Sequence, residues 1–145
     1  MRDPAALIAT FAHELCHYLI HGIGEPPPGG WELDELATDL AAVFLGFGIF
    51  MANNAKSFAA FSSFNEMGWE SRRSGYLSEV ALVTAIAIRE RLAGRDPLAV
   101  AGPHLKPHLR SDLKNADGWL RKHHPDMPEA VAAVDLDVYM EPRDG

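Results

Sequence analysis

The residues of this 145-residue chain best suited to chemistry gather in one short stretch, His13-Glu14-Leu15-Cys16-His17. On a helix, two histidines four residues apart lie one turn above the other, so both rings can reach one metal ion. Glu14 is rotated by about 100 degrees from His13, which sets it beside such an ion. From there it can take a proton from a metal-bound water, whose pKa zinc lowers towards ~7. The pattern arises by chance often enough that spacing alone is only a starting point. Its setting adds weight. Phe11, Ala12, Tyr18 and Leu19 flank the triplet and are expected to bury the helix on most sides, where polar groups need partners.

A catalytic zinc takes three protein ligands and keeps one position open. Cys16 lies inside the motif but points away from the histidines by helical phase, and it reads as a small core residue. The third ligand must come from another segment, and the next helix offers Glu32, Asp34, Glu35 and Asp39. If the two helices pair antiparallel around the intervening Gly/Pro loop, residues at one level have a constant sum of positions. His17 with Glu35 and His13 with Asp39 share the same sum. Glu35 is therefore expected to be the third ligand. Asp39, one turn deeper, is placed to accept the His13 ring N–H that faces away from the metal. Glu32 and Asp34 have a plainer explanation, as first-turn acids favoured by the helix dipole.

The order H-E-x-x-H, then E-x-x-x-D on the next helix, resembles the gluzincins, the thermolysin-like zinc metallopeptidases. The resemblance runs from His13 to Asp39 and covers under a fifth of the chain. It implies that His13, His17 and Glu35 bind Zn2+, that Glu14 is general base and later acid, and that Asp39 holds His13. Two departures stand beside it. In that family a small sheet precedes the first motif helix, whereas only twelve residues precede His13 here. The sheet then comes from residues 55–77, or the domain is minimal, or the chain is part of something longer. The family's transition-state stabiliser, a Tyr or His further along, has Tyr76 as its first candidate here, with His104 and His108 as others. Arg72 and Arg73 could bind a substrate carboxylate and are equally well read as surface charges.

The remaining histidines have ordinary explanations. His21 follows His17 by four, but each turn rises about 5.4 Å, which carries it too far to share an ion with His13. It suits the helix C-terminus as a cation. His104 and His108 are also four apart, but Pro107 between them argues against a shared helix face and a second metal site. His123 and His124, with Arg121 and Lys122, form a basic last turn.

The elements that must position the motif follow from pattern and punctuation. A first helix is predicted from Pro4 to about His21, with Asp3 as N-cap and Gly22 as C-cap. Leu7, Ile8, Phe11, Leu15, Tyr18 and Leu19 recur along it at helical spacing. A Gly/Pro breaker, residues 22–30, separates it from a second helix starting near Trp31 or Glu32 and closing at Asn53 and Asn54. Gly46 and Gly48 mark a stop or a very close approach in its far half. Residues 55–77 read as a long loop, with room for a small β-hairpin, folding back over the core. Ser78 caps a third helix, Glu79 to Ala93, whose wide apolar surface makes it the central buried helix. A fourth runs from about His108 to His124, and a short one follows Pro128.

The fold expected is thus mainly α, or α+β with that hairpin, as one domain over residues 1–145. A hydrophobic share of 48% with 23% charged is the balance of a soluble globular protein. The net charge of -7 argues against a phosphate-tracking surface and so against nucleic acid. One cysteine forms no internal disulfide and fits a reducing, cytoplasmic setting. No signal peptide is read at the N-terminus. The longest uncharged apolar run, Ala41 to Ala52, is short of the ~20 residues of a membrane helix, so no membrane partner is expected. Together these point to a zinc-dependent, peptidase-like hydrolase acting on a peptide or protein. The alternative is an inactive interaction or regulatory domain of zincin type that keeps zinc as a structural cross-link. Glu14, which a purely structural zinc would not need, favours the first. A third reading is a metal-free helical domain.

Overall fold

The computed structural model describes residues 3–65, 76–135 and 137, with the backbone alone over 57–65. The first helix, α1 (Pro4–Ile23), begins where the sequence announces it: Asp3 accepts the Ala5 N–H at 2.9 Å, and Pro4 occupies the first turn. It runs through Gly22 and ends at Gly24, whose φ of 74° is the left-handed cap conformation. Gly22, the expected cap, stays helical because its neighbour two residues on takes that role.

The buried face of α1 is not the one its large apolar residues suggest. Ala9, Ala12, His13 and Cys16 face the core, while Phe11 and Tyr18 are 65% and 79% exposed and Leu7, Leu15 and Leu19 are close to half exposed. Both stripes have helical periodicity, so pattern alone could not choose between them. The small stripe wins because it lets α1 approach its neighbours closely. The aromatic flanks therefore do not bury the His-Glu-His triplet. The alanine and cysteine side carries only His13 into the core, leaving His17 half-buried and Glu14 exposed.

A single 3-10 turn (Trp31–Leu33) leads into α2 (Asp34–Ala42). The helical rod then passes through a π turn (Val43–Phe47) into α3 (Gly48–Asn65). Gly46 takes φ 105° inside that turn, a conformation that glycine adopts at no steric cost. Arg89 donates its Nε–H to the Phe44 carbonyl in the same turn at 3.1 Å. Gly48 marks the close approach: a Cβ there would lie 2.7 Å from Cγ1 of Ile86. The rod does not close at Asn53 and Asn54. Asn54 is buried and donates to the Phe50 carbonyl one turn back. Asn53 donates to the His104 carbonyl and accepts from the Lys106 N–H, tying α3 to a distant connector.

Residues 55–65, expected in a loop or hairpin, instead continue α3 to Asn65. Residues 66–75 of that segment, with Trp69, Arg72 and Arg73, lie outside the described residues. The chain is mainly helical, with no strand among the described residues. The continuous run Trp31–Lys56 is, by length and composition, apolar enough to cross a membrane, a test that core helices also pass. It exceeds the uncharged stretch Ala41–Ala52 because the helical run also takes in charged residues at both ends, Glu32, Asp34, Glu35 and Asp39 before it and Lys56 after it.

The helix α4 (Glu79–Leu92) is capped by Ser78, which accepts the Ala81 N–H at 3.2 Å. It forms the middle of the molecule, burying Leu82, Val83, Ala85, Ile86 and Ala87 against α3 and α6. A short α5 (Pro97–Val100) and a 3-10 turn (Gly102–His104) precede α6 (Pro107–His123), whose Leu109, Leu113 and Leu120 are buried. Arg91 on α4 and Asp117 on α6 form a two-pronged pair at 2.6 and 2.8 Å, with Asp117 almost wholly buried. Buried Glu90 is likewise satisfied, by Arg89 and Arg95. A last helix, α7 (Met127–Ala132), packs on α4.

Candidate metal centre

The site lies where α1 meets α2. Its contacts run in opposite senses along the two helices: His13 meets Asp39, His17 meets Thr38 and Glu35, and His21 meets Asp34. The small buried face of α1 makes this approach close enough for side chains to meet end to end.

His13 and Asp39 are both buried and bond through Nδ1 and Oδ1 at 2.9 Å. The other Asp39 oxygen accepts the backbone N–H of Leu77 at 2.8 Å. With a carboxylate as acceptor, Nδ1 carries the hydrogen, and the Nε2 lone pair of a neutral His13 points away from Asp39. It points at Glu35, whose Oε2 lies 3.3 Å from it. His17 repeats the arrangement: its Nε2 is 3.3 Å from the other Glu35 oxygen, and its Nδ1 is 3.2 Å from the Thr38 hydroxyl and 3.5 Å from Asp34. The two imidazoles stand edge to face, with centroids 4.6 Å apart.

Glu35 thus lies between the Nε2 atoms of both imidazoles, one facing each of its oxygens at 3.3 Å. Its Oε2 is buried and makes no hydrogen bond. Acceptors facing acceptors repel unless a cation or a proton lies between them, so the arrangement is one that a cation would complete. The nitrogen–oxygen separations of 3.3 Å match the edge of a tetrahedron with metal–ligand distances of about 2.0–2.1 Å. One ligand atom from each of His13, His17 and Glu35 falls within 4.8 Å of the others. Two imidazoles and a carboxylate suit zinc among common divalent ions.

Burial is the largest single influence on His13 and pulls its pKa down. The hydrogen bond and charge of Asp39, with the charges of Glu35 and Glu14, outweigh it and leave the pKa above 6.5. A proton on Nε2, shared towards Glu35, is therefore favoured despite burial, and any metal ion would have to displace it. Cys16 is fully buried, and burial followed by the charge of Asp39 pushes its thiol up, which keeps it a protonated core residue.

The other sequence candidates fall in several places. Glu14 is exposed on α1 next to His13 and is among the charges acting on it. Tyr76 is half-buried with its ring against His13, centroids 5.1 Å apart. His104 lies in the connector before α6, and His108 faces both Glu79 oxygens at 3.3 Å. Neither joins a metal-capable group among the described residues. His123 and His124 lie against Trp119. Sequence reasoning misses Thr38 and takes Asp34 for a first-turn acid, yet both face His17. The signal is present: Asp34 and Thr38 form a second i, i+4 pair, one residue out of phase with Glu35 and Asp39. His21, read as a lone C-terminal cation, is paired with Asp34 at 2.9 Å.

Compared with models of protein families, with curated proteins and with solved structures, the chain matches none.

Proposed function

We propose that the chain is a zinc-dependent, peptidase-like hydrolase, in line with the gluzincin resemblance of residues 13–39. His13, His17 and Glu35 would hold the ion, and a peptide or protein would be the substrate. The observation that carries this reading is the Glu35 carboxylate facing two Nε2 atoms, with one buried oxygen lacking any hydrogen bond. Zinc bound there supplies Lewis acidity, polarising a carbonyl and making water easier to deprotonate.

The chain's own residues do the rest. Asp39 fixes the His13 ring in the tautomer that presents Nε2, and Thr38 and Asp34 do the same for His17. Glu14, exposed at the edge of the pair, accepts a proton from the attacking water and later delivers one to the leaving amine. Tyr76, beside His13, is the candidate hydrogen-bond donor to the developing oxyanion. The single buried cysteine goes with a reducing, cytoplasmic setting.

The test joins metal analysis to mutation. The purified protein should contain zinc, and Glu14→Gln should keep it while lowering cleavage of a peptide library by about 10²- to 10⁴-fold. Equal cleavage by wild type and Glu14→Gln would refute the mechanism. A second reading, zinc as a structural cross-link in an interaction domain, is favoured by the broad exposed apolar face of α1, from Leu7 to Ile23. Zinc content without cleavage of any peptide, together with unfolding on zinc removal, would select it.

A further inference from the structure

The histidine ladder on α1 does not stop at the first centre. His13, His17 and His21 follow one another at single-turn intervals on one face, and the last two enclose Asp34 from α2. His21 Nε2 lies 2.9 Å and His17 Nδ1 3.5 Å from the same Asp34 oxygen. One ligand atom from each of the three lies within 4.8 Å of the others. The second Asp34 oxygen is buried and makes no hydrogen bond, so this carboxylate has unused acceptor capacity where the imidazoles converge. His21 is 56% exposed, which leaves one side of the cluster open to water and to exchange. The first centre, by contrast, is built on the buried His13.

We propose that His17, His21 and Asp34 form a second site for zinc or a similar imidazole-seeking divalent ion, and that it competes with the first centre for His17. Two imidazoles and one carboxylate are the donor set such ions take. The competition follows from the ring itself. A neutral imidazole has one nitrogen with a lone pair and one with a hydrogen. His17 presents Nε2 to the Glu35 side when its Nδ1 keeps the hydrogen towards Thr38 and Asp34. Binding through Nδ1 reverses that tautomer and withdraws His17 from the first ion. Excess metal therefore weakens the first centre. The second site stands on its own geometry, and only this coupling rests on the proposed function.

The test uses the full chain and zinc alone, measured by equilibrium dialysis. Wild type should take up two ions per chain, the second more weakly. His21→Ala should lose the weaker one and keep the tight one unchanged. The side chain of His21 has no part in capping α1, since Gly24 bonds to its backbone carbonyl, so folding is not at stake. Asp34→Asn should weaken the same ion about tenfold or more. His13→Ala should lose the tight ion and keep the weak one. A His21→Ala protein that binds as many ions as wild type would overturn the site. If instead His13→Ala changes nothing while His21→Ala loses an ion, the second site stands and the first centre fails. For the coupling, zinc is loaded at one equivalent and cobalt, the weaker-binding ion, is added in moderate excess. Zinc released into the dialysate should rise in wild type and stay low in His21→Ala. Equal release from both would overturn the competition.

Discussion

Asp39 shows how much one side chain can organise. Both of its oxygens are engaged, one orienting His13 and the other holding the Leu77 N–H, next to Tyr76. Its carboxylate thereby links His13 on α1 to the segment entering α4. Replacing it with asparagine keeps the shape but removes the charge and the strict acceptor character. Asp39→Asn should lower zinc affinity about 10- to 100-fold, read by competition with a chromophoric chelator. Unchanged affinity would mean that His13 is not a ligand. Glu35 is the complementary case, a carboxylate facing Nε2 of both imidazoles, an arrangement that a proton or a bound cation would satisfy. Both residues were legible in the sequence, because acids at i and i+4 opposite histidines at i and i+4 leave few other arrangements. Thr38 and Asp34 were not, because a hydroxyl and a first-turn acid have many ordinary uses.

At the scale of elements, helices and caps were largely legible, while faces and helix ends were not. Asp3, Ser78 and the Gly/Pro breaker mark boundaries through their own local bonds, so they read correctly without tertiary context. The end of the second helix did not, because Asn53 and Asn54, poor helix residues in isolation, are held by bonds to His104, Lys106 and Phe50. Gly46 is a consequence of the π turn. A Cβ there would meet nothing closer than Arg89 Nη2 at 3.6 Å, so space is available and conformation is the obstacle. Gly46→Ala should therefore cost about 1–3 kcal/mol in denaturant unfolding through its φ of 105°. A loss near zero would show that the rod can relax its π turn. The exposed face of α1 gives the opposite expectation. Phe11→Ser and Tyr18→Ser should each shift stability by no more than about 0.5 kcal/mol, against several kcal/mol for a core aromatic.

For the whole molecule, the candidate metal centre lies at the α1–α2 side of the core, on the face of α1 that carries Ala9, Ala12 and Cys16. The packing of α3, α4 and α6, pinned by the Arg91–Asp117 pair, involves none of the candidate ligands. The centre joins α1 to α2. Removing zinc with a chelator should lower stability by about 4 kcal/mol relative to zinc present at 1,000 times its dissociation constant. The helical circular dichroism should persist at low temperature. Loss of most helix on chelation would place the metal within the folding core itself.

The amino-acid sequence by itself determined the helical class, most helix starts, and the residue types and spacing of the candidate site, since these depend on local periodicity and capping bonds. Only the tertiary structure decided which face of α1 is buried, how far α3 runs, and that His21 and Asp34 form a second cluster beside the first. The reason is the same in each case. Two stripes on one helix can share a period, and a polar side chain can have several local uses, until packing at close range selects one.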